Sequence, residues 1–176
     1  MSLDDEIVPL ESPEETQLRR ELQSRWWAKL AARPDAALHR HITPGKLLMF
    51  SAASDELCRI APGVTLDYIV FPETSGIHLH IDEADAKGAD SQLEASSAQS
   101  DWEKAVYECL LAHRADIEGA FGAELEWDET FVSCYLDGGT GSPEHEWDDI
   151  IASQVCAKNK LYASVMPYAG SIPAHS

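Results

Sequence analysis

The part of the chain that most constrains its fold is a helix that turns directly into a strand. Ser100 and Glu103 have the spacing of a capping box, in which each side chain accepts a hydrogen bond from the other residue's backbone N–H. Apolar residues then recur at helical spacing across residues 102–121, and Gly122 is the residue type that most readily ends a helix in the left-handed conformation. Residues 124–127 alternate polar and apolar side chains. The stretch therefore predicts one continuous amphipathic helix, a glycine stop and the start of a strand.

Two further helices are predicted, one towards each end of the chain. Ser12 and Ser142 are each followed by a proline and then by glutamate, which is the pattern of an N-cap, a first-turn proline and an acidic first turn. The later helix is expected to end before Pro167. In the earlier helix Trp26 and Trp27 are adjacent, so helical spacing predicts that only one of them lies at the centre of the buried stripe.

The segments between these helices predict strands. Residues 46–50, 64–71 and 76–82 are apolar or alternating, and residues 72–76 form a turn of hairpin size. After the central helix, 124–127 and 131–136 predict either two strands or one bulged strand. This order of elements predicts an α+β fold with a mostly antiparallel sheet of about four to five strands, flanked by three main helices. The predicted organisation is a flexible acidic segment at 1–12, a single α+β domain at 13–168 and a C-terminal tail at 169–176.

Charge is the most unusual bulk property of the chain. Its 176 residues carry a formal net charge of −18, with a pI of about 4.5. Direct binding to a nucleic-acid backbone requires clustered Lys and Arg, so it is not expected, and anionic membrane surfaces are disfavoured for the same reason. A basic protein partner or a divalent cation is compatible with the charge. No stretch has the length and apolarity of a membrane span or the form of a signal peptide, so we expect a cytoplasmic protein.

One group of residues suggests a nuclease. Asp67 lies on a predicted strand, and Asp82, Glu83 and Lys87 follow the next strand. Metal-dependent nucleases hold Mg²⁺ with carboxylates from neighbouring strands and place a lysine near the attacking water. The order of helix, three strands, helix and strand matches that core. However, the position where such enzymes carry an acid-x-lysine triplet reads as residues 78–80, His-Leu-His, so a degenerate relative of the fold is favoured over an active one.

A second group of residues suggests a metal site. On the predicted strand 76–82, Ile77 and its alternate neighbours face one way, while His78, His80 and Asp82 face the other. Three such side chains are suitable ligands for a metal ion, but nothing in the sequence marks a fourth ligand or a second shell. We therefore expect no resident cofactor, with a divalent cation at these three residues as the alternative.

The central stretch also resembles a bacterial and archaeal domain of unknown function, which often forms the C-terminal part of restriction-endonuclease-like proteins. The matching positions are Ile117, Glu118, Phe121, Gly122, Leu125 and Trp127. Two other parts of the chain also resemble this domain: Trp26, Trp27 and Leu30 in the first predicted helix, and the stretch from Leu161 to Pro167 at the end of the last one. The chain departs from the pattern at residues 131–135, where an arginine-containing alternation would be typical. The resemblance implies a fold and a context near restriction or defence systems, but no activity. The order of helices and strands separately suggests a degenerate restriction-endonuclease-like topology.

These observations lead to three hypotheses for function. The preferred one is a non-catalytic accessory or protein-interaction domain, with a protein partner or a second copy of the chain bound to it. The alternatives are a metal-dependent nuclease-like hydrolase that uses Asp67, Asp82 and Glu83, and an acidic decoy or immunity-type protein that binds a basic partner. Glu118 separates an architectural from a functional interpretation of the signature. It is architectural if it is buried and paired with an arginine, such as Arg19, Arg20 or Arg25, and functional if it faces an empty cleft.

Overall fold

The computed structural model describes residues 12–36, 59–83, 100–129 and 131–174. The helices of these ranges are α1 (Pro13–Ala31), α2 (Asp101–Leu111), α3 (Arg114–Phe121) and α4 (Trp147–Val165), and the strands are β1 (Arg59–Ala61), β2 (Val64–Val70), β3 (Thr74–Ile81), β4 (Glu126–Asp128) and β5 (Phe131–Asp137). Short 3-10 helices cover Pro34–Ala36, Glu144–Glu146 and Met166–Ser171. The acidic segment 1–11 and the predicted strand 46–50 lie outside the described residues. None of the described helices is long and apolar enough to cross a membrane.

The five described strands form one sheet in the order β1-β2-β3-β5-β4, and every neighbouring pair is antiparallel. The predicted α+β class and its antiparallel sheet are therefore confirmed. The hairpin of β2 and β3 is present, with a tighter turn than predicted because β3 begins at Thr74. The two short segments after the central helix are two separate strands. The restriction-endonuclease-like topology stays a prediction.

The described residues hold four α-helices and not three, because the predicted central helix is divided. Its capping box of Ser100 and Glu103 is present, and Gly122 ends it with φ 88°. Between these ends, His113 adopts a non-helical backbone with φ −108° and ψ 13°. Its ring stacks on Tyr168 with 4.2 Å between ring centroids. The prediction of a single helix was therefore wrong. The spacing of apolar residues within the helix carries no information about a contact with a residue 55 positions further along the chain.

The segment predicted as a C-terminal tail is attached to α2 as far as it is described. The indole Nε1 of Trp102 donates a hydrogen bond of 3.0 Å to the carbonyl of Pro173. The thiol of Cys109 lies 3.2 Å from the carbonyl oxygen of Ser171. Together with the stack on His113, these contacts fasten the chain after α4 along the length of α2 and the start of α3.

α2 and α4 pack on one face of the sheet, which we call the helix face, and α1 and α3 pack against α4. Alternate strand residues, including Leu66, Ile77, Leu79 and Val132, form the core there with the buried residues of the helices. Trp26 is fully buried and Trp27 is 9% exposed, which is compatible with one of them at the centre of the stripe and the other nearer its edge. Trp26 meets Trp147 of α4 edge to face, with 5.3 Å between ring centroids.

The glycine-rich loop after β5 closes on the β2–β3 turn through its backbone. Gly138, Thr140 and Gly141 donate hydrogen bonds of 2.9, 3.0 and 2.7 Å to carbonyls of residues 71–73. A Cβ at Gly139 would lie 2.0 Å from the carbonyl oxygen of Phe71. The backbone N–H groups of this loop are thus used within the chain and are not presented to a phosphate.

This loop also corrects the predicted start of the last helix. The hydroxyl of Ser142 accepts a hydrogen bond of 3.2 Å from the backbone N–H of Gly139, so Ser142 serves the loop and not a helix N-cap. A 3-10 turn follows, and α4 begins only at Trp147, without a side-chain cap. The serine-proline pattern therefore correctly predicted a helix in this region, but it was wrong about the residue at which the helix begins.

The close backbone contact at Gly139 predicts a contrast between two glycine substitutions. Gly139→Ala should reduce the free energy of unfolding by about 2 kcal/mol or more, because the new methyl group meets backbone that cannot move aside. Gly119→Ala is the matched control, since Gly119 lies within α3 and a Cβ there meets no atom within 4 Å. It should raise stability by about 0.5–1 kcal/mol. Urea unfolding followed by circular dichroism measures both, and a neutral Gly139→Ala would contradict the described packing of the loop.

Candidate functional site

The signature of the central stretch is built around the carboxylate of Glu118. One oxygen, Oε1, accepts hydrogen bonds from three donors. They are the backbone N–H of Leu125 at 3.0 Å, the indole Nε1 of Trp127 at 3.0 Å and the guanidinium Nε of Arg114 at 3.1 Å. Arg114 also lies over the Trp127 ring, 5.8 Å from its centroid. These contacts join α3, the turn after it and β4 at a single atom.

The environment of Glu118 keeps it ionised. The Leu125 hydrogen bond, followed by those from Arg114 and Trp127, lowers the pKa of the carboxyl group below its usual value, although burial acts in the opposite direction. The Glu118 side chain is only 18% exposed. It is therefore paired with an arginine, as the architectural interpretation requires. The partner is Arg114 of its own helix and not Arg25, which pairs with Glu144 instead.

The remaining signature residues are also accounted for by packing. Ile117, Phe121 and Leu125 are 1%, 7% and 5% exposed and belong to the core. Trp127 is partly buried against that core, on the helix face of β4. Gly122 occupies the left-handed position at the end of α3. With Trp26 in the core as well, every signature residue has a structural role.

The residues of the nuclease hypothesis do not come together. Asp67 lies in the middle of β2, directly opposite His78 of β3, and is 4% exposed. Asp82 and Glu83 follow the end of β3, four and five residues beyond His78. Four residues of strand correspond to about 13 Å, whereas carboxylates that share a metal ion approach it to about 2 Å. Lys87 lies outside the described residues.

His78 and His80 lie on the face of the sheet opposite the helices, which we call the second face. The His78 ring is 8% exposed, stacks on Phe131 at 4.9 Å and has its Nε2 atom 3.1 Å from the hydroxyl of Tyr135. Burial, and to a lesser extent His80, lowers the pKa of His78 to about 4. His78 is therefore neutral at physiological pH. Within the described ranges, no group of three or more His, Cys, Asp or Glu side chains is placed to hold a metal ion.

The strand register aligns Asp67, His78 and Ser133 in a row across β2, β3 and β5. An aspartate, a histidine and a serine side by side across neighbouring strands are the residue types of a hydrolytic triad. Here, however, Ser133 is fully buried, so a substrate cannot reach its hydroxyl. The histidine Nε2 atom that would take the serine proton is directed to Tyr135 instead. The row is a buried polar layer of the sheet and not a nucleophilic site.

The exposed part of the second face lies at the β4–β5 end of the sheet. Tyr135 is 38% exposed there, beside the partly exposed Phe131. The register places Glu126 and Asp128 on this face, and Asp137 ends β5 on it. All three carboxylates are exposed. We call this group the acidic edge: Glu126, Asp128, Phe131, Tyr135 and Asp137.

The acidic edge was not predicted from the sequence. Its signal is nevertheless visible there, because residues 115–157 include no Lys or Arg, although many acids fall in that range. The acids as a whole look evenly spread, and only the missing cations reveal the local imbalance. Phe131 and Tyr135 have no local mark of a site, since what brings them to His78 is the pairing of β3 with β5.

Comparison with known proteins yields no relative for this chain. No family model matches it, and neither a curated protein nor a solved structure does so.

Removing the Glu118 carboxylate should destabilise the fold. Glu118→Ala leaves the N–H groups of Leu125 and Trp127 without an acceptor, so the free energy of unfolding should fall by about 1–3 kcal/mol. Glu118→Gln keeps an acceptor oxygen and should cost less. Glu108→Ala, at an exposed position of α2, is the control. Chemical unfolding at neutral pH measures all three, and equal stabilities for Glu118→Ala and Glu108→Ala would show that the three hydrogen bonds are not structural.

The buried His78 should make stability fall with mild acid. The unfolded chain takes up a proton near pH 6.5, whereas folded His78 does so only near 4, so unfolding gains protons between these values and stability declines as the pH falls through them. From about pH 7 to about pH 5 the loss should be about 1 kcal/mol, allowing for solvent that still reaches the ring. His78→Gln should remove this component. His145→Gln, whose side chain is 82% exposed in the native protein, should retain it. Urea titrations at both pH values test the difference.

Proposed function

We propose that this chain is a non-catalytic protein-interaction domain that binds a basic partner through its acidic edge. The proposal rests on one observation: an exposed aromatic residue, Tyr135, lies on the same face and at the same end of the sheet as three exposed carboxylates. Aromatic side chains supply contact area at low entropic cost, and surrounding charges set the choice of partner and the rate of encounter.

The carboxylates of the acidic edge differ from those near the start of α4 because no cation compensates them. Glu144, just before α4, and Asp148, in its first turn, pair with Arg25 and Lys29 of α1. Across the described ranges, no Lys or Arg forms an ion pair with Glu126, Asp128 or Asp137. Uncompensated charges of one sign create a potential that attracts a surface of the opposite sign.

The nuclease-like alternative has less support. Its three carboxylates are spread along about 13 Å of strand. The signature residues that would have marked a site are used for packing. The acidic edge disfavours a nucleic-acid substrate, since a phosphate backbone is repelled by it.

The resemblance to the restriction-associated domain extends the proposal to a biological setting. On that basis the partner belongs to a restriction or defence system, and the chain acts in the cytoplasm as an accessory to it. The family has no activity to transfer, which is compatible with a role in binding.

Charge reversal at the acidic edge should abolish partner binding. A Glu126→Lys/Asp128→Lys double variant should lose a partner that the native chain captures from its source cell at low salt, because attraction is replaced by repulsion. Capture by the native chain should itself weaken at high salt. Quantitative mass spectrometry of the captured fractions gives the measurement.

The matched control is Glu21→Lys/Glu108→Lys, which changes the net charge equally at exposed positions of α1 and α2 that are not part of the acidic edge. It should retain the partner. Loss of the partner in both double variants would point to net charge alone and refute a localised surface. Divalent-cation-dependent cleavage of DNA by the native chain, abolished in Asp82→Asn, would refute the non-catalytic assignment.

A further inference from the structure

We propose that the basic partner binds as an additional strand, paired with residues 134–137 of β5. This inference rests on the proposed function and specifies its mode. β4 pairs with β5 only over Phe131–Ser133, although β5 continues to Asp137. In the described part of the chain, no strand lies outside residues 134–137 on the side away from β3. Alternate N–H and C=O groups of this stretch therefore point outward from the sheet, as they do at any strand edge.

The end of α3 explains why β4 does not continue along this stretch. Extending the register of β4 backwards would set Leu125 opposite Cys134 and Gly122 opposite Asp137. Instead, α3 continues to Phe121, and Gly122 turns the chain out of it in the left-handed conformation. β4 therefore begins only at Glu126, and none of the described strands pairs with residues 134–137 on this side.

The side chains along this edge define the chemistry of the incoming strand. Tyr135 and Asp137 lie on the second face, where they are exposed. Cys134 and Leu136 lie on the helix face and are partly buried against the core. A strand with alternating basic and apolar residues fits both faces, because its cations meet the Tyr135 ring and the carboxylates while its apolar side chains extend the core.

The same chemistry argues against a second copy of this chain as the occupant. Two copies paired along this edge would bring Asp137 and Glu126 of one protomer close to the same residues of the other. Like charges facing each other across strands are unfavourable, and charged edges are a common protection against self-pairing. Charge complementarity therefore selects a basic segment from another protein.

Strand pairing can be separated from simple charge attraction with modified peptides. The probes are a short synthetic peptide that alternates Lys and Val and two derivatives, one N-methylated at every Lys and the other at every Val. In a strand, residues of one parity point their N–H groups to one edge, so only one derivative loses the hydrogen bonds to β5. Its affinity, measured by calorimetry, should be about tenfold or more below that of the other. A peptide with Glu in place of Lys should not bind.

Hydrogen exchange followed by NMR identifies the edge. In the free protein, the outward amides of residues 134–137 should exchange rapidly, and the unmodified Lys-Val peptide should slow their exchange. Equal affinities of the two N-methylated peptides, or no protection at residues 134–137, would overturn strand addition. If binding is then still lost in Glu126→Lys/Asp128→Lys, the proposed function stands without this mode.

Two further results would also overturn the inference. Protection of these amides in the free protein would mean that the edge is already paired within the chain. Protection that rises with protein concentration, together with dimers in sedimentation, would assign the edge to a second copy. Failure of every basic peptide to bind, combined with failure to capture any partner, would refute the proposed function itself.

Discussion

The arrangement of this fold depends on one carboxylate oxygen that accepts three hydrogen bonds. Through Glu118, the end of α3 is tied to the turn at Leu125 and to the indole of Trp127 on β4. A charged acceptor strengthens each bond, and Arg114 balances the charge without leaving its own helix. The same oxygen holds the backbone N–H of Leu125, the residue just before β4, while Gly122 turns the chain out of α3. The helix end and the start of β4 are therefore fixed to each other, and β4 covers only the first residues of β5.

The charge of the chain acquires a pattern once the fold is known. Arg25 and Lys29 of α1 and Arg33 shortly after it are spaced four residues apart. The first two form ion pairs with Glu144, just before α4, and with Asp148 in its first turn. Arg33 contacts the backbone carbonyl of Asp148 and pairs with Asp35. Exposed ion pairs of this kind contribute little stability individually. Their consequence is electrostatic: two carboxylates near the start of α4 are neutralised, whereas those of the acidic edge are not.

Local signals carried the prediction of secondary structure further than the prediction of the site. Capping boxes, Gly122 and the β2–β3 hairpin are encoded within a few residues, and each is present. The break at His113 and the true role of Ser142 depend on contacts that no local window contains. Which candidate site residues come together depends even more strongly on the register of the strands. Asp67, Asp82 and Glu83 are suitable residue types for a metal centre, but they lie at different positions along the strand direction. Tyr135 contacts His78 because β5 pairs with β3, although two helices separate these strands in the sequence.

The contact between the glycine loop and the hairpin turn has a consequence for how this sequence can vary. The loop binds the turn through backbone atoms alone, so the side chains of Pro72 and Glu73 are free to change without loss of the contact. The length of the turn, by contrast, cannot change without loss of the contact. One inserted residue would displace the carbonyls of residues 71–73 from the N–H groups of residues 138–141, and no substitution would restore the match. Among relatives of this protein, the turn should therefore vary in composition while insertions and deletions accumulate elsewhere.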